Sequence, residues 1–274
     1  MTLPPRTTNS HVPARALRAE DARNAESAER LAAALLETLL NAVDATDPQT
    51  GAHVRRVARY ALALAAAADL DEHAQHDVER VALFHDIGKI HEALFDIIHD
   101  HRKLSAAARR AILTHPQRGV EVLAPLESFY PTLSDGVLSH HERWDGRGYP
   151  NGLAADAIPF SARIVAIADS FDAITFARRY QSGRTAAEAF ALIGAGRGTQ
   201  FDPDLTDLFL SPPIVDDVLD AMREAHDAAS RSNPRGGADR RHGAAEPVPD
   251  VTFRWRSEGQ KPRSRVRGAR TVRG

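Results

Sequence analysis

The sequence predicts an all-α protein built as a helical bundle, on three observations. Alanine is abundant while aromatic residues are sparse, at 6%, a balance that suits closely packed helices better than a β-sandwich. Apolar residues recur at spacings of three and four along most of the chain. No stretch of useful length alternates apolar and polar residues as a half-buried strand would. At 274 residues there is enough chain to bury a sizeable core.

Taken in order, residues 1–26 are rich in Pro, Thr, Asn and Arg and read as a disordered leader. Ser27 is the expected N-cap of a first helix over 27–46, with Leu31, Leu35, Leu36, Leu39, Leu40 and Val43 on one stripe. That stripe suits packing on its own domain or the seam of a homodimer. Asp47-Pro48 ends this helix, and Thr50-Gly51 leads as a tight connection into a second one carrying Val54, Val57, Ala58, Ala61, Leu62 and Ala65 inward, with His53 in its first turn. A third helix runs from Leu70-Asp71-Glu72 to Asp86. Ser105 is the expected cap of a helix ending near Thr114, and His115-Pro116 restarts the chain. Helices follow at Val120–Leu123 and up to His140-His141. The stretch from Arg143 to Gly152 is the strongest loop signal. Beyond it, Ser161 is the expected cap of a helix carrying Asp169 and Asp172 one turn apart, and Thr185-Ala186-Ala187-Glu188 fits a capping box that Gly194 and Gly196 close. Asp202-Pro203 opens a short helix, and Ile214–Ala229 forms a last amphipathic one. The ordered domain is therefore expected over 27–230, followed by a basic disordered tail over 231–274.

Composition narrows the function classes. The formal net charge is -2, so no global pull toward nucleic acid or membrane is implied, and no specific nucleic-acid partner is expected. The basic tail could bind an anionic polymer or lipid by counterion release, although a solvated disordered tail is the better reading. No apolar run reaches membrane-spanning length and the start lacks a signal-peptide core, so the expected location is cytoplasmic. There is no cysteine. Any bound metal must therefore be held by nitrogen and oxygen.

The residues that could carry chemistry are His53, His85, Asp86, His115, His140, His141 and Asp169. Each is expected at or near a helix end, where a bundle can converge its side chains. One histidine alone is more often a hydrogen-bonded structural residue, and His73, His76, His91, His99 and His101 keep that reading. Several histidines with two carboxylates exceed what one ion needs. They suit two cations sharing Asp86, with a water between them whose pKa is lowered. Phosphoester hydrolysis is the reaction that most needs such a hydroxide together with neutralised phosphoryl charge. Lys89, one turn past the pair, would hold a phosphate oxygen as a point charge.

Three motifs carry a resemblance: His85-Asp86-Ile87-Gly88-Lys89, then His140-His141-Glu142-Arg143-Trp144-Asp145-Gly146-Arg147-Gly148-Tyr149-Pro150, then Gly198-Thr199-Gln200-Phe201-Asp202-Pro203. In this order they resemble the HD-GYP branch of the HD phosphohydrolase superfamily. The resemblance implies an HD-type helical bundle with a GYP loop. Its implied activity is hydrolysis of cyclic di-GMP to linear pGpG and/or GMP, with two divalent ions, iron or manganese, as cofactors. By position, His53, His85, Asp86 and Asp169 would hold the first metal and His115, His140 and His141 the second, with Asp86 shared. Lys89 would meet the scissile phosphate, Asp172 and Arg178 would lie near the substrate, and Tyr149 would line the rim beside a protein partner recruited by the GYP loop. Trp144 and Tyr149 read better as packing anchors than as base-stacking platforms. Gln49 stands where some members carry a glutamate for a third metal, so two are expected. The chain also departs from the family after Lys89 and at Gln181, where a cation that would meet the substrate is missing. A different nucleotide diester, or a sensor that binds without cutting, is the alternative.

Overall fold

The computed structural model describes residues 14–90, 110–176 and 183–232, with side chains at 14–22, 90 and 228–232 left aside. Among them the long elements are all helices, and the one isolated bridge pairs Arg197 with Phe201. Among the described residues no helix is long and apolar enough to cross a membrane.

Helix α1 spans Ala14–Thr46, which corrects the expected start at Ser27. Ser27 lies inside the helix and donates its hydroxyl to the Arg23 carbonyl (2.8 Å), a bond that lets a mid-helix serine satisfy itself locally. The reason is intrinsic propensity. Residues 14–26 are mostly Ala, Arg, Leu and Glu, strong helix formers whose polar composition reads as a leader. Helix α1 buries Ala32, Leu36 and Val43, and leaves Leu31 and Leu35 exposed.

Helix α2 spans Pro48–Ala67, so Thr50-Gly51 is its first turn and not a connection. Asp47 starts it, its carboxylate accepting from the Gln49 amide (3.0 Å) and the Thr50 hydroxyl (2.8 Å), while Pro48 occupies the turn where a missing N–H costs nothing. A β-carbon on Gly51 would collide with Asp44, so glycine lets α1 and α2 cross closely. About half of the α2 surface is buried, with Val54, Val57, Tyr60, Ala61 and Leu64 facing inward and Ala52, Arg55, Arg59 and Ala66 outward. It is the central helix, flanked by α1, by α3 (Glu72–Phe84), by α6 (Phe160–Thr175) and by the last helix α9 (Pro212–Ser232).

The remaining elements are α4 (His115–Leu123), α5 (Pro131–Ser139), α7 (Ala186–Ala195) and α8 (Pro203–Phe209), with a 3-10 turn at Ile87–Ile90. Asp71, Thr185 and Asp202 cap α3, α7 and α8, with the expected complete box at Thr185/Glu188. Helix α6 differs: it begins at Phe160 after Pro159, with no side-chain cap, and Ser161 lies within its first turn. Proline's fixed φ already steers the chain there. Tyr60, Phe171, Phe190 and Phe209 meet at ring separations of 4.8–5.6 Å for the pairs involving Phe171, which locks α2, α6, α7 and α8 into one core.

Candidate metal centre

His85 and His140 stand just past the last helical residues of α3 and α5, and His115 follows the helical residues 110–112. The last carbonyls of a helix lack intrahelical partners. Each histidine uses one: Nδ1 of His85 faces Ala82 O (2.8 Å), that of His115 faces Ile112 O (2.9 Å), and that of His140 faces Val137 O (2.6 Å). A carbonyl only accepts, so Nδ1 carries the proton and Nε2 presents its lone pair inward in all three. The helix-end placement expected from sequence thus has a structural reason. Asp169 is the exception, lying in the middle of α6.

The inward atoms form two groups, His53–His85–Asp169 and His115–His140–His141, each with one donor atom per residue inside a 4.8 Å span. Asp86 lies between them. Its Oδ2 faces His85 Nε2 (3.5 Å) and His53 Nε2 (3.8 Å), and its Oδ1 faces His115 Nε2 (3.4 Å). Asp169 Oδ1 approaches His53 Nε2 (3.2 Å) and His85 Nε2 (3.9 Å). The seven residues expected as ligands therefore converge, six of them buried and His141 half-buried.

The donor set fits a pair of cations. His85 Nε2, His141 Nε2 and Asp86 Oδ1 are buried without a hydrogen-bond partner, a cost of about 1–3 kcal/mol per atom unless something positive fills the space. His115 Nε2 and His140 Nε2 face each other at 3.1 Å although both are lone-pair acceptors. A cation between them turns that repulsion into ligation. With no thiolate and a mixed imidazole–carboxylate shell, the set suits iron, manganese, zinc or cobalt.

Titration follows the surroundings. Burial and, for His140, the crowd of neighbouring histidines hold His85, His115 and His140 below the ordinary histidine value. Burial also lowers His141, to about 4. His53 goes the other way: burial opposes its charge, but Asp169 and Asp172 on its two nitrogens outweigh burial and raise it to about 9. Burial would raise Asp86, yet the Lys89 ammonium, 2.7 Å from Oδ2, and the histidines around it keep it well below the usual carboxylate range.

Gly88 brings the two groups together. A β-carbon there would sit 2.1 Å from His115 O and 2.6 Å from Gly119 N, so glycine allows the 3-10 turn after Asp86 to touch α4. The loop motif is built by Glu142, whose buried carboxylate accepts from the amides of Asn151 (2.7 Å) and Leu153 (3.1 Å). It is tied to the third motif by Trp144 N to Gln200 O (3.2 Å) and Asp145 N to Thr199 O (2.8 Å). Tyr149 stacks on His141 at 4.8 Å, and Trp144 lies 5.7 Å from the Arg163 guanidinium.

Asp172, expected near the substrate, is 2% exposed, and its oxygens accept from His53 Nδ1 (2.7 Å) and from Arg56 Nε and Nη2 (2.7 and 2.9 Å), contacts that tie it to α2. Arg56 was not singled out from sequence; its signal was a position three residues after His53, matching the Asp169/Asp172 spacing across the helix pair. His73 and His76 are exposed. Arg178, Gln181, the stretch after Lys89 that includes His91, His99 and His101, residues 1–13 and the tail from 233 lie outside the described residues.

A family model described as HD domain matches residues 37–205. The chain is 39% identical over 178 residues to the 3'3'-cGAMP-specific phosphodiesterase 2 of Vibrio cholerae serotype O1, covering 64% of this chain and 34% of that protein. It is 37% identical over 177 residues to a cyclic di-GMP phosphodiesterase response regulator of Xanthomonas campestris pv. campestris (64% and 46%). A cyclic di-GMP phosphodiesterase of Thermotoga maritima is 32% identical over 221 residues (79% and 58%). The chain thus spans less than two thirds of the length of each of these relatives.

Proposed function

This chain belongs to the HD domain family, and from that premise we propose that it is a metal-dependent phosphodiesterase that hydrolyses a cyclic dinucleotide, cyclic di-GMP to linear pGpG and/or GMP. The observation that carries the reading is Asp86, whose two oxygens face the two histidine groups separately. His53, His85, Asp86 and Asp169 would hold one divalent ion and His115, His140 and His141 the other, with Asp86 shared. When bound, such a pair of iron or manganese ions supplies hydroxide at neutral pH and neutralises charge building on phosphoryl oxygens.

The chain's own residues do the rest. Backbone carbonyls fix the tautomers of His85, His115 and His140, so their donor atoms need no reorganisation. Lys89 is buried beside Asp86, where its ammonium can take a phosphate oxygen as negative charge spreads over the equatorial oxygens. The Tyr149 ring stacks on His141 and covers one face of that ligand.

A second substrate, 3'3'-cGAMP, is favoured by the name of the relative that shares 39% identity. Metal-replete full chain should be given both dinucleotides at equal concentration and the products resolved by chromatography. Linear pGpG or GMP from cyclic di-GMP is the expected result. Faster turnover of 3'3'-cGAMP would reassign the substrate, and tight binding of either without products would replace the enzyme by a sensor.

A further inference from the structure

The histidines around the centre are not all held by the same device. His85, His115 and His140 rest on backbone carbonyls at helix ends, contacts that no side-chain substitution removes. His53 lies in the second turn of α2, where carbonyls already serve the helix ladder. Its Nδ1 meets Asp172 Oδ2 instead, at 2.7 Å. Asp172 in turn is clamped by Arg56 through both of its oxygens. The Arg56 guanidinium lies 3.8 Å from the Phe176 ring centroid, and Phe176 stacks on His226 of α9 at 4.6 Å.

We propose that Asp172 and Arg56 are positioning residues for the metal ligand His53, so that His53 is held by a side-chain relay while His85, His115 and His140 rest on backbone carbonyls. His53 and Arg56 on α2 face Asp169 and Asp172 on α6 as two rungs three residues apart. The upper rung supplies donor atoms to the centre. The lower rung supplies orientation: the Asp172 carboxylate accepts the Nδ1 proton, leaves the Nε2 lone pair facing inward and makes the imidazole a better donor. Arg56 fixes both carboxylate oxygens in plane and balances a charge that would otherwise be buried alone. Phe176 and α9 shield this pair from water.

The inference rests on reading the buried cluster as a metal centre, and its test separates the two. Full-length protein and the variants Asp172→Ala, Asp172→Asn and Arg56→Lys are titrated with Mn²⁺, free Mn²⁺ being followed by paramagnetic resonance. Imidazole nitrogen spectra of the metal-free proteins, recorded at a pH where the His53 ring is neutral, report the tautomers. In Asp172→Ala one of two Mn²⁺ sites should weaken by about 10- to 100-fold while the other holds its affinity. The His53 signal should leave the Nδ1–H form, with His85, His115 and His140 unmoved. Asp172→Asn, whose carbonyl can still accept from His53 but whose amide then faces Arg56, should lose less, as should Arg56→Lys, and these two decide the matter where Asp172→Ala does not fold. Wild-type affinity at both sites with an unchanged His53 signal overturns the proposal, and so does equal weakening of both sites. A wild-type chain that takes up no Mn²⁺ refutes the metal-centre reading, and the His53 signal in Asp172→Asn then still decides whether the relay sets its tautomer.

Discussion

Replacing Gly88 by alanine tests whether the two ligand groups are joined by one close backbone contact. The added β-carbon would stand 2.1 Å from His115 O and 2.6 Å from Gly119 N, both backbone atoms that cannot swing away. Restoring ordinary contact requires the 3-10 turn to retreat from α4 by at least about 1 Å. Asp86 immediately precedes that turn and His115 opens α4, so the retreat lengthens the 3.4 Å approach of Asp86 Oδ1 to His115 Nε2. Metal–ligand distances tolerate only about 0.2 Å, so Asp86 can then serve one group and not both. Overpacking of this kind costs about 1–3 kcal/mol, small enough for a domain with this core to stay folded. A 1 Å misplacement at a reacting centre costs on the order of 10²-fold in turnover. Metal content per chain, turnover and a circular-dichroism melt on one preparation read all three. Two tightly held ions with wild-type turnover in Gly88→Ala would refute the argument that this contact sets the spacing.

Three further outcomes follow from the same geometry. Lys89→Ala should keep its metals, since Asp86 is then balanced by them, but lose about 10²- to 10³-fold in kcat; an unchanged kcat would remove Lys89 from the reaction. Glu142→Ala strands the Asn151 and Leu153 amides that its buried carboxylate serves, costing about 1–3 kcal/mol for each, whereas Glu142→Gln retains one acceptor and costs less; urea melts rank the two, and equal stability would contradict it. In metal-free protein, the lowered His85, His115, His140 and His141 leave the unfolded chain to take up protons first, so stability falls as pH drops below about 6.5. His141 alone, at about 4, removes on the order of 2 kcal/mol by about pH 5. His53, raised to about 9, acts with the opposite sign: its contribution is complete below about pH 6.5 and is lost as pH rises through 9. Urea melts across pH with chelator present should therefore peak between these limits, and a flat profile would contradict the assigned surroundings.

Much of this molecule is legible in its sequence because the signals are local. Asp71, Thr185 and Asp202 announce their helices through side chains that reach backbone amides two or three residues on. The ligands are readable for a related reason: His85 and His140 follow helix ends, and a histidine just past a helix end finds a free carbonyl for Nδ1. What stayed hidden depends on contacts between distant segments. The hold of Arg56 on Asp172, 116 positions away, forms only when α2 and α6 pack. Gly88 reads as a helix stop, and its closeness to His115 O exists only once α4 is docked. The start of α1 was missed for the opposite reason, since helix propensity over 14–26 competes with a polar composition that also marks unstructured leaders.

The central claim is that Asp86 joins two metal sites. Metal counting on anaerobically purified protein, wild type beside Asp86→Ala, tests it most directly. The account predicts two ions per chain in the wild type and at most one, weakly held, in Asp86→Ala. One ion or none in the wild type, or two retained in Asp86→Ala, would contradict it.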